Sequence, residues 1–187
     1  MKAIKRWILT HLPERQRELL RVLGPGNMLV YFFFQRILRI NAHVPWPVHW
    51  SAVVIAPEKI TRIAQRPFPG MMPGHYIHAA NGISIGKNVR LAPGVKLISA
   101  RPDPDDFDRL LPAEPIEISD NCWLGANVII QPGVKLGNHT VVGAGSVVQD
   151  SFPQGNLLLA GTPAKIIREL GAYQDQNTTS SSTDEGI

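Results

Sequence analysis

Residues 118–148 read ISDNCW-LGANVI-IQPGVK-LGNHTV-VGAGSV-V, a run of six-residue units without a gap. The first position of every unit is aliphatic and is held by Ile118, Leu124, Ile130, Leu136, Val142 and Val148. The fifth position is small or β-branched and is held by Cys122, Val128, Val134, Thr140 and Ser146. This period fits neither an α-helix nor a plain amphipathic strand. It predicts a parallel β-helix, in which three short strands make one turn and the aliphatic side chains point inward.

The same repeat occurs earlier in the chain and then stops. Residues 85–96 read IGKNVR-LAPGVK, and Leu97 opens a further unit. The period fails over 100–115, a segment rich in proline and aspartate, and it resumes before Ile118. Insertions into such coils form loops on one face, and that face is frequently the functional one. We therefore predict a mainly β fold with an inserted loop at 100–115.

Length and composition exclude several classes of protein. A chain of 187 residues is long enough for one domain with an appendage. The net charge of +4 suits an anionic cofactor but is too small to indicate a nucleic-acid partner. A single cysteine, Cys122, excludes an intramolecular disulfide framework and favours a reducing, cytoplasmic compartment. Because Cys122 occupies an inward repeat position, we expect it to be a core residue and not a nucleophile.

The first 43 residues differ in kind from the coil. Basic and apolar residues alternate over 1–23, which predicts one or two amphipathic helices, and a second helix is expected from Met28 to about Ile40. The apolar run MLVYFFF is far shorter than the ~20 residues that span a bilayer, and no signal-peptide pattern is present. Two interpretations remain open: a helical cap on the end of the coil, or a basic surface resting on an inner membrane.

The C-terminal part contains a predicted helix and a predicted tail. Over 162–170, TPAKIIREL indicates a short basic helix with Thr162 as N-cap and Pro163 at its first position. Residues 172–187 are polar and low in complexity, which is typical of a disordered tail. The expected organisation is a cap at 1–43, a β-helix domain at 44–171 and a tail at 172–187.

Several motifs of the chain resemble those of a known family. The hexapeptide coil, NCWLGANVII, VVGAGSVV and AGTPAKIIREL are similar to the left-handed β-helix acyltransferases, in particular the xenobiotic, maltose, galactoside and nodulation-factor acetyltransferases. VPWPVHW and PGHYIHAANGI resemble acetyltransferases of polysaccharide biosynthesis. The resemblance covers about 44–170. It implies a left-handed coil that transfers an acyl group from acetyl-CoA to a sugar hydroxyl, and a homotrimer with active sites in clefts between subunits.

The repeat itself supports an assembly of this kind. The residue before each inward aliphatic points outward, and positions one turn apart stack. Trp123 should therefore lie beside Val141, Ile129 beside Val147, and Glu117 beside Lys135. Two outer faces are then apolar and the third carries an ion pair. Apolar outer faces favour burial between subunits, and two of them suit threefold symmetry.

The resemblance also implies a site for the acyl donor. Trp123, Ala126, Ala144 and Gly145 match positions along the pantetheine arm, where small side chains let the backbone approach the thioester. Lys165 and Arg168 match basic residues that pair with the nucleotide phosphates, although a solvated helix face is the alternative. Where the family commonly has Thr-Lys, this chain has Gln149-Asp150.

The expected catalytic base is missing. The family carries a histidine in the inserted loop, and Pro102 stands at that position here. His78 is the leading candidate for a replacement base. Its alternative roles are contact with the acceptor and a structural role. His75 is a weaker candidate for the base. Asn81 and Asp103 are expected to contact the acceptor, and no metal is expected. His139 occupies a turn and should face solvent.

The sequence bears on three possible functions. The sequence favours a coenzyme-A-dependent O-acyltransferase of glycan biosynthesis. A catalytically impaired hexapeptide-repeat scaffold or binding protein is the alternative, because of Pro102. A β-helix of the carbonic anhydrase type would need three metal-binding histidines, and the six histidines do not show that pattern.

Overall fold

Short strands wind around a common axis in the computed structural model, which describes residues 24, 26–63 and 68–174. The predicted amphipathic helices at 1–23 and most of the predicted tail lie outside these residues. The strands form three parallel faces, called here sheets A, B and C in the order in which the chain visits them. The architecture is the left-handed parallel β-helix that the sequence predicted.

Sheet A is the first face of each turn. It stacks five strands in the order β1, β3, β6, β11 and β14. Their bounds are Val53–Ile55 (β1), Tyr76–His78 (β3), Lys96–Ile98 (β6), Ile129–Ile130 (β11) and Val147–Val148 (β14).

Sheet B is the second face and stacks four strands. Their bounds are Ile60–Arg62 (β2), Ile83–Ile85 (β4), Ile116–Ile118 (β9) and Lys135–Leu136 (β12). A short 3₁₀ turn, Pro57–Lys59, leads from β1 into β2. Phe152 extends this face by one bridge to Leu136.

Sheet C is the third face and receives the end of the chain. Its parallel strands are Arg90–Leu91 (β5), Trp123–Leu124 (β10), Thr140–Val142 (β13) and Leu157–Gly161 (β15). The last strand of the chain, Ala164–Glu169 (β16), adds to its edge in the antiparallel sense.

The core is the column of inward side chains that the repeat predicted. The six first-position aliphatics of 118–148 are each at most 2% exposed, and the fifth-position residues are equally buried. Each full burial of such an aliphatic contributes about 1.5–3 kcal/mol. Cys122 is in this column, as predicted, and burial raises the pKa of its thiol to about 11, so it is not a nucleophile at neutral pH.

Tight corners between the faces depend on left-handed backbone at one repeat position. The fourth position of each unit has positive φ, and it is held by Asn121, Asn127, Gly133, His139 and Gly145. Glycine and asparagine tolerate this conformation better than other residues do. His139 is therefore a turn residue, as predicted, although its ring also contacts that of Tyr173, with centroids 5.1 Å apart.

The insertion at 100–115 leaves the coil between sheets A and B. It contains a two-stranded antiparallel hairpin of Pro102–Asp103 (β7) and Asp106–Leu110 (β8). Phe107, at 84% exposed, is on this hairpin. The prediction that 100–115 is an excursion from the coil is confirmed.

The predicted C-terminal helix is wrong, because residues 164–169 form strand β16. Gly161, with φ of 110°, lies where the chain reverses onto the open edge of β15. An unpaired strand edge offers hydrogen bonds that a short isolated helix cannot match. The adjacent Ile166 and Ile167 also favour strand.

A helix covers the start of the coil. Residues 26–32 are α-helical, and a π-helical turn, Phe33–Ile37, continues them; we call the whole α1. The buried side-chain amide of Gln35 donates to the carbonyls of Val44 and Trp46, both at 2.9 Å. Tyr31 donates its hydroxyl to the carbonyl of Met71 at 2.8 Å. The helix ends slightly earlier than predicted, and its role as a cap stays a prediction.

His75 is a buried structural residue and not the loosely held candidate that the sequence indicated. Its side chain accepts a hydrogen bond from the Gly70 amide at Nδ1, at 3.1 Å, so Nε2 donates to the Ala92 carbonyl, at 2.9 Å. Burial lowers the pKa of His75, the Ala92 bond opposes this shift, and His49 adds to it.

This environment makes stability depend on pH. The folded pKa of His75 lies below the unfolded value of about 6.5, so its stabilising effect is complete above that value and is lost as the pH falls toward the folded pKa. We predict that the unfolding free energy from denaturant titrations declines below about pH 6.5. His75→Gln should flatten this decline, with His139→Asn as the control. An unchanged slope in His75→Gln would contradict this assignment.

Candidate functional site

A partly apolar column runs along the outer face of sheet C. Register pairs place Arg90 beside Trp123, Trp123 beside Val141, and Val141 beside Leu158. The Trp123 side chain is at the surface of the single chain, with 53% of the residue exposed. The predicted stacking of Trp123 with Val141 is confirmed. The column supplies a flat apolar strip that either a ligand or a second subunit can cover.

Small residues line the corner next to this column. Ala126, Ala144 and Gly145 are in the turns that lead from β10 to β11 and from β13 to β14. The amide of Gly145 donates to the carbonyl of Ala126 at 2.8 Å, so these turns lie on consecutive coils. A Cβ built on Gly145 would meet no heavy atom within 4 Å. The corner is therefore open to an extended ligand, and its backbone is not shielded by side chains.

The basic residues predicted to bind phosphates lie on β16. Arg168 is the register partner of Leu158, so it belongs to the same sheet as Trp123 and is three strand spacings, or about 14 Å, away. Lys165 is beside Ala160 and pairs with Asp150 at 3.2 Å. Both residues are exposed. They lie on a strand and not on the predicted helix, yet they remain on the face that carries Trp123.

His78 lies on a different face. It ends strand β3 of sheet A, between Ile55 and Ile98 in register. The Tyr76 ring stands edge-on to the imidazole, with centroids 6.3 Å apart. Partial burial lowers the pKa of His78, so the imidazole is neutral near pH 7. A neutral, partly exposed imidazole can accept a proton or a hydrogen bond.

Asn81 and Ser99 tie this face to the base of the inserted hairpin. The Asn81 side-chain amide donates to the Ser99 carbonyl at 2.7 Å. The Ser99 hydroxyl donates to the His78 carbonyl at 3.1 Å and accepts from the backbone amide of Asn81 at 3.0 Å. This arrangement gives Asn81 a positioning role for the hairpin. Ser99 was not predicted, and its unremarkable sequence context gave no signal for it.

Asp103, which the sequence analysis assigned to acceptor contact, is turned into the hairpin. It is buried, its carboxylate accepts from Arg109 Nε at 2.8 Å, and its other oxygen accepts from the Asp105 amide at 2.9 Å. These bonds hold the pKa of Asp103 below its usual value, with the Asp105 amide contributing most. Asp103 therefore shapes the hairpin, and its pairing with Arg109 could not be read from spacing alone.

Pro102, at the position expected for the base, begins strand β7 and is exposed. Within one chain the predicted donor residues are on sheet C and its corner with sheet A, whereas His78 is at the opposite end of the sheet A strands. One chain thus does not bring these two sets together. Sheet B carries the predicted ion pair, Lys135–Glu117, at 2.9 Å.

No group of three or more histidine, cysteine, aspartate or glutamate side chains suited to a metal ion occurs among residues 24, 26–63 and 68–174.

Comparison with known proteins identifies the repeat and the fold. Residues 115–150 match the family described as bacterial transferase hexapeptide (six repeats). A galactoside acetyltransferase in complex with coenzyme A aligns at 30% identity and a TM-score of 0.50, covering 65% of this chain and 63% of that one. The chain therefore spans less than two thirds of that enzyme.

Two further structures cover more of their own length. A hexapeptide-repeat acetyltransferase from Vibrio cholerae O1 biovar eltor, complexed with acetyl coenzyme A, is 25% identical with a TM-score of 0.55, covering 85% of this chain and 91% of that one. A Bacillus cereus N-acyltransferase with dTDP and coenzyme A is 16% identical with a TM-score of 0.54, covering 73% and 89%; it supports the fold alone. The predicted resemblance in repeat and fold is confirmed.

Proposed function

We propose that this chain, whose coil carries the hexapeptide repeat of bacterial transferases, is a coenzyme-A-dependent O-acyltransferase that acetylates a sugar hydroxyl in glycan biosynthesis. One observation carries the proposal. The exposed Trp123, the open corner of small residues and the exposed Arg168 lie along one face, in the order that an extended donor with an anionic end requires. The likeness to the Vibrio cholerae protein, whose structure contains acetyl coenzyme A, supports the same conclusion.

The donor fits residues of this chain. The small side chains of Ala126, Ala144 and Gly145 let a thioester approach the backbone closely, although the Gly145 amide is itself bonded to the Ala126 carbonyl. Trp123 offers an apolar surface to the pantetheine arm. Lys165 and Arg168 offer cations to phosphates. The Asp150 partner of Lys165 weakens that cation's contribution, because it already neutralises the ammonium in the free chain.

A homotrimer completes the site. Sheets A and C both carry outward apolar columns: Ile129 and Val147 on A are half-buried, and on C Val141 is half-buried and Trp123 is exposed. Packing face A of one subunit against face C of the next buries both and brings His78 toward the donor face of a neighbour. Closed threefold symmetry satisfies both faces of every subunit. A site that is split between faces of one chain supports this assembly.

His78 is the residue that we assign to the acceptor. Its neutral imidazole would take the proton from the sugar hydroxyl as the hydroxyl oxygen attacks the thioester carbonyl and the thiolate of coenzyme A leaves. With a pKa below the usual histidine range, the base would stay deprotonated through neutral pH, and activity would fall only on the acid side. Asn81 would assist indirectly by holding the hairpin.

A second candidate function rests on Pro102. If no residue replaces the family histidine, the chain is a hexapeptide-repeat scaffold that binds coenzyme A or a glycan without turnover. Measurement of coenzyme A release with sugar acceptors, beside a coenzyme A binding titration on the same sample, separates the two. Release with binding supports the enzyme, and binding alone supports the scaffold. If coenzyme A is neither released nor bound, the acyltransferase proposal is refuted.

The setting in the cell is part of the same proposal. The lone buried cysteine is consistent with a cytoplasmic protein, and the basic N-terminal segment is consistent with peripheral contact at the inner membrane. In the described part of the chain, no helix is long and apolar enough to cross a bilayer.

Trp123→Asp tests the trimer and the donor face together. A buried charge at an interface centre costs about 2 kcal/mol or more, so we expect a lower mass by light scattering or weaker coenzyme A binding, or both. Trp50→Asp is the matched control, because Trp50 is 51% exposed, nearly the same as Trp123, but is not part of sheet C. Unchanged mass and binding in Trp123→Asp would count against the assignment.

Lys165→Glu and Arg168→Glu test the phosphate role. Each charge-assisted bond contributes about 1.5–3 kcal/mol, so coenzyme A should bind at least about tenfold more weakly. Pantetheine, which lacks the nucleotide, should bind almost as before. Lys87→Glu, an exposed reversal on the corner between sheets B and C, controls for net charge. Equal losses for coenzyme A and pantetheine would refute the role.

Pro102→His tests the missing base. If the fold and donor site are intact, an added imidazole should raise acetyl transfer by up to about 10²–10⁴-fold, or less if the hairpin holds it off target. Pro104→His, two residues away in the same hairpin, is the control.

In the wild type, His78→Ala should abolish residual transfer if His78 is the base, but should raise mainly the acceptor KM if it only contacts substrate. Robust transfer that survives His78→Ala would show that the base lies elsewhere.

A further inference from the structure

Among the described residues, helix α1 is bonded to the rest of the fold along one side. Gln35 is buried and bonded to two coil carbonyls. Tyr31 is bonded to Met71, and the Phe34 ring stacks on Trp50, with centroids 5.8 Å apart. Positions 31, 34 and 35 share one side of a helix. These contacts hold the helix in a defined orientation, so its opposite side has a defined orientation too.

The opposite side is apolar and, in the part of the chain that the structure describes, exposed. Leu29, Phe32, Phe33 and Ile37 follow helical spacing, and each is between 46% and 70% exposed. We call these four residues the outer face of α1. Burying them would remove four large apolar side chains from water, each worth about tenfold in affinity or more. An apolar patch of this kind on an anchored helix indicates a surface that is covered in function.

Basic and acidic residues are unevenly distributed along the sequence. Residues 1–56 contain eight lysines and arginines but two glutamates, whereas residues 57–187 contain eleven basic and thirteen acidic residues. No aspartate or glutamate occurs at all from residue 24 to residue 56. Arg36 and Arg39 are exposed on and directly after α1. Among the described residues, two exposed arginines thus lie on or next to the outer face, and no acidic residue lies between 24 and 56 in the sequence.

We propose that the outer face of α1 docks into an anionic lipid bilayer surface. The four apolar side chains would enter the interface, and Arg36 and Arg39 would pair with lipid phosphates, each cation contributing roughly fivefold. The exposed Trp50, stacked on Phe34, is a residue type enriched at such interfaces. The inference rests on the proposed function only for its peripheral membrane contact, and it requires neither coenzyme A nor a sugar.

A second copy of the chain is the competing occupant. Pairing two such faces would bring like charges together, since each carries Arg36 and Arg39 with no acidic partner in 24–56. Anionic headgroups complement the same charges. The charge pattern therefore favours lipid over self-association, and the two occupants give different experimental results.

The test is flotation of the full chain with phosphatidylcholine vesicles, with and without phosphatidylglycerol. Wild-type protein should float with the anionic vesicles, and salt should weaken binding. Phe32→Ser and Phe33→Ser should each reduce the partition constant about tenfold, and Arg36→Gln roughly fivefold. Phe107→Ser and Arg101→Gln, on the inserted hairpin, are the matched controls and should bind as the wild type does.

Each other outcome overturns the inference. Absence of wild-type flotation refutes it, as does flotation that Phe32→Ser and Phe33→Ser leave unchanged. A drop in mass by light scattering for Phe32→Ser, with vesicle binding retained, would make the face a contact between copies. Circular dichroism verifies that the variants are folded. Acetyl transfer to a soluble sugar, measured without vesicles, shows separately whether the proposed function fails.

Discussion

The structure depends on a geometric constraint that repeats at every corner of the coil: one residue per unit must adopt left-handed backbone. Asn121, Asn127, Gly133, His139 and Gly145 supply it in the regular stretch, with φ between 55° and 76°. This turn places the outward strand residue two positions later, so a single backbone conformation sets the register of the coil. Where consecutive coils approach closely, a side chain is excluded, because a Cβ on Gly125 would lie 2.6 Å from the Ala144 amide nitrogen.

That register distributes chemistry among the three faces. Inward positions have no choice but to be apolar or small, since they share a narrow column. Outward positions are free, and their identities differ by face: a tryptophan and valine column on C, apolar and histidine positions on A, and the Glu117–Lys135 pair on B. Within one chain the faces point away from each other. A site that draws on two of them therefore needs a second subunit, which makes assembly a condition of the proposed activity.

Two additions adapt the coil. The hairpin at 100–115 departs between sheets A and B and is held by the Asp103–Arg109 pair and by Asn81. Helix α1 covers the first coil through Gln35 and Tyr31. Neither addition follows the repeat, and both are held mainly by side-chain bonds to backbone or to one another. In the described part of the chain, they also carry the two most exposed large apolar side chains, Leu29 and Phe107.

The sequence by itself determined the coil, because a period of six is a local property that repeats. The inward column, the stacking of Trp123 on Val141 and the burial of Cys122 all follow from counting residues. The role of the sheet C residues toward the acyl donor comes from the resemblance to a known family and stays a prediction. The predictions failed where residues distant in the sequence contact one another, or where a segment pairs with an unpaired strand edge. Strand β16 forms because the edge of β15 is unpaired, so local helix propensity in TPAKIIREL was overridden.

Asp103 is buried because Arg109 folds back across the hairpin, and His75 is buried because Gly70 and Ala92 meet its ring from two different turns. Local periodicity specifies which side of the coil each residue occupies. Only the tertiary structure decided which side chains meet across the additions, because those pairings depend on where the chain leaves and rejoins the coil.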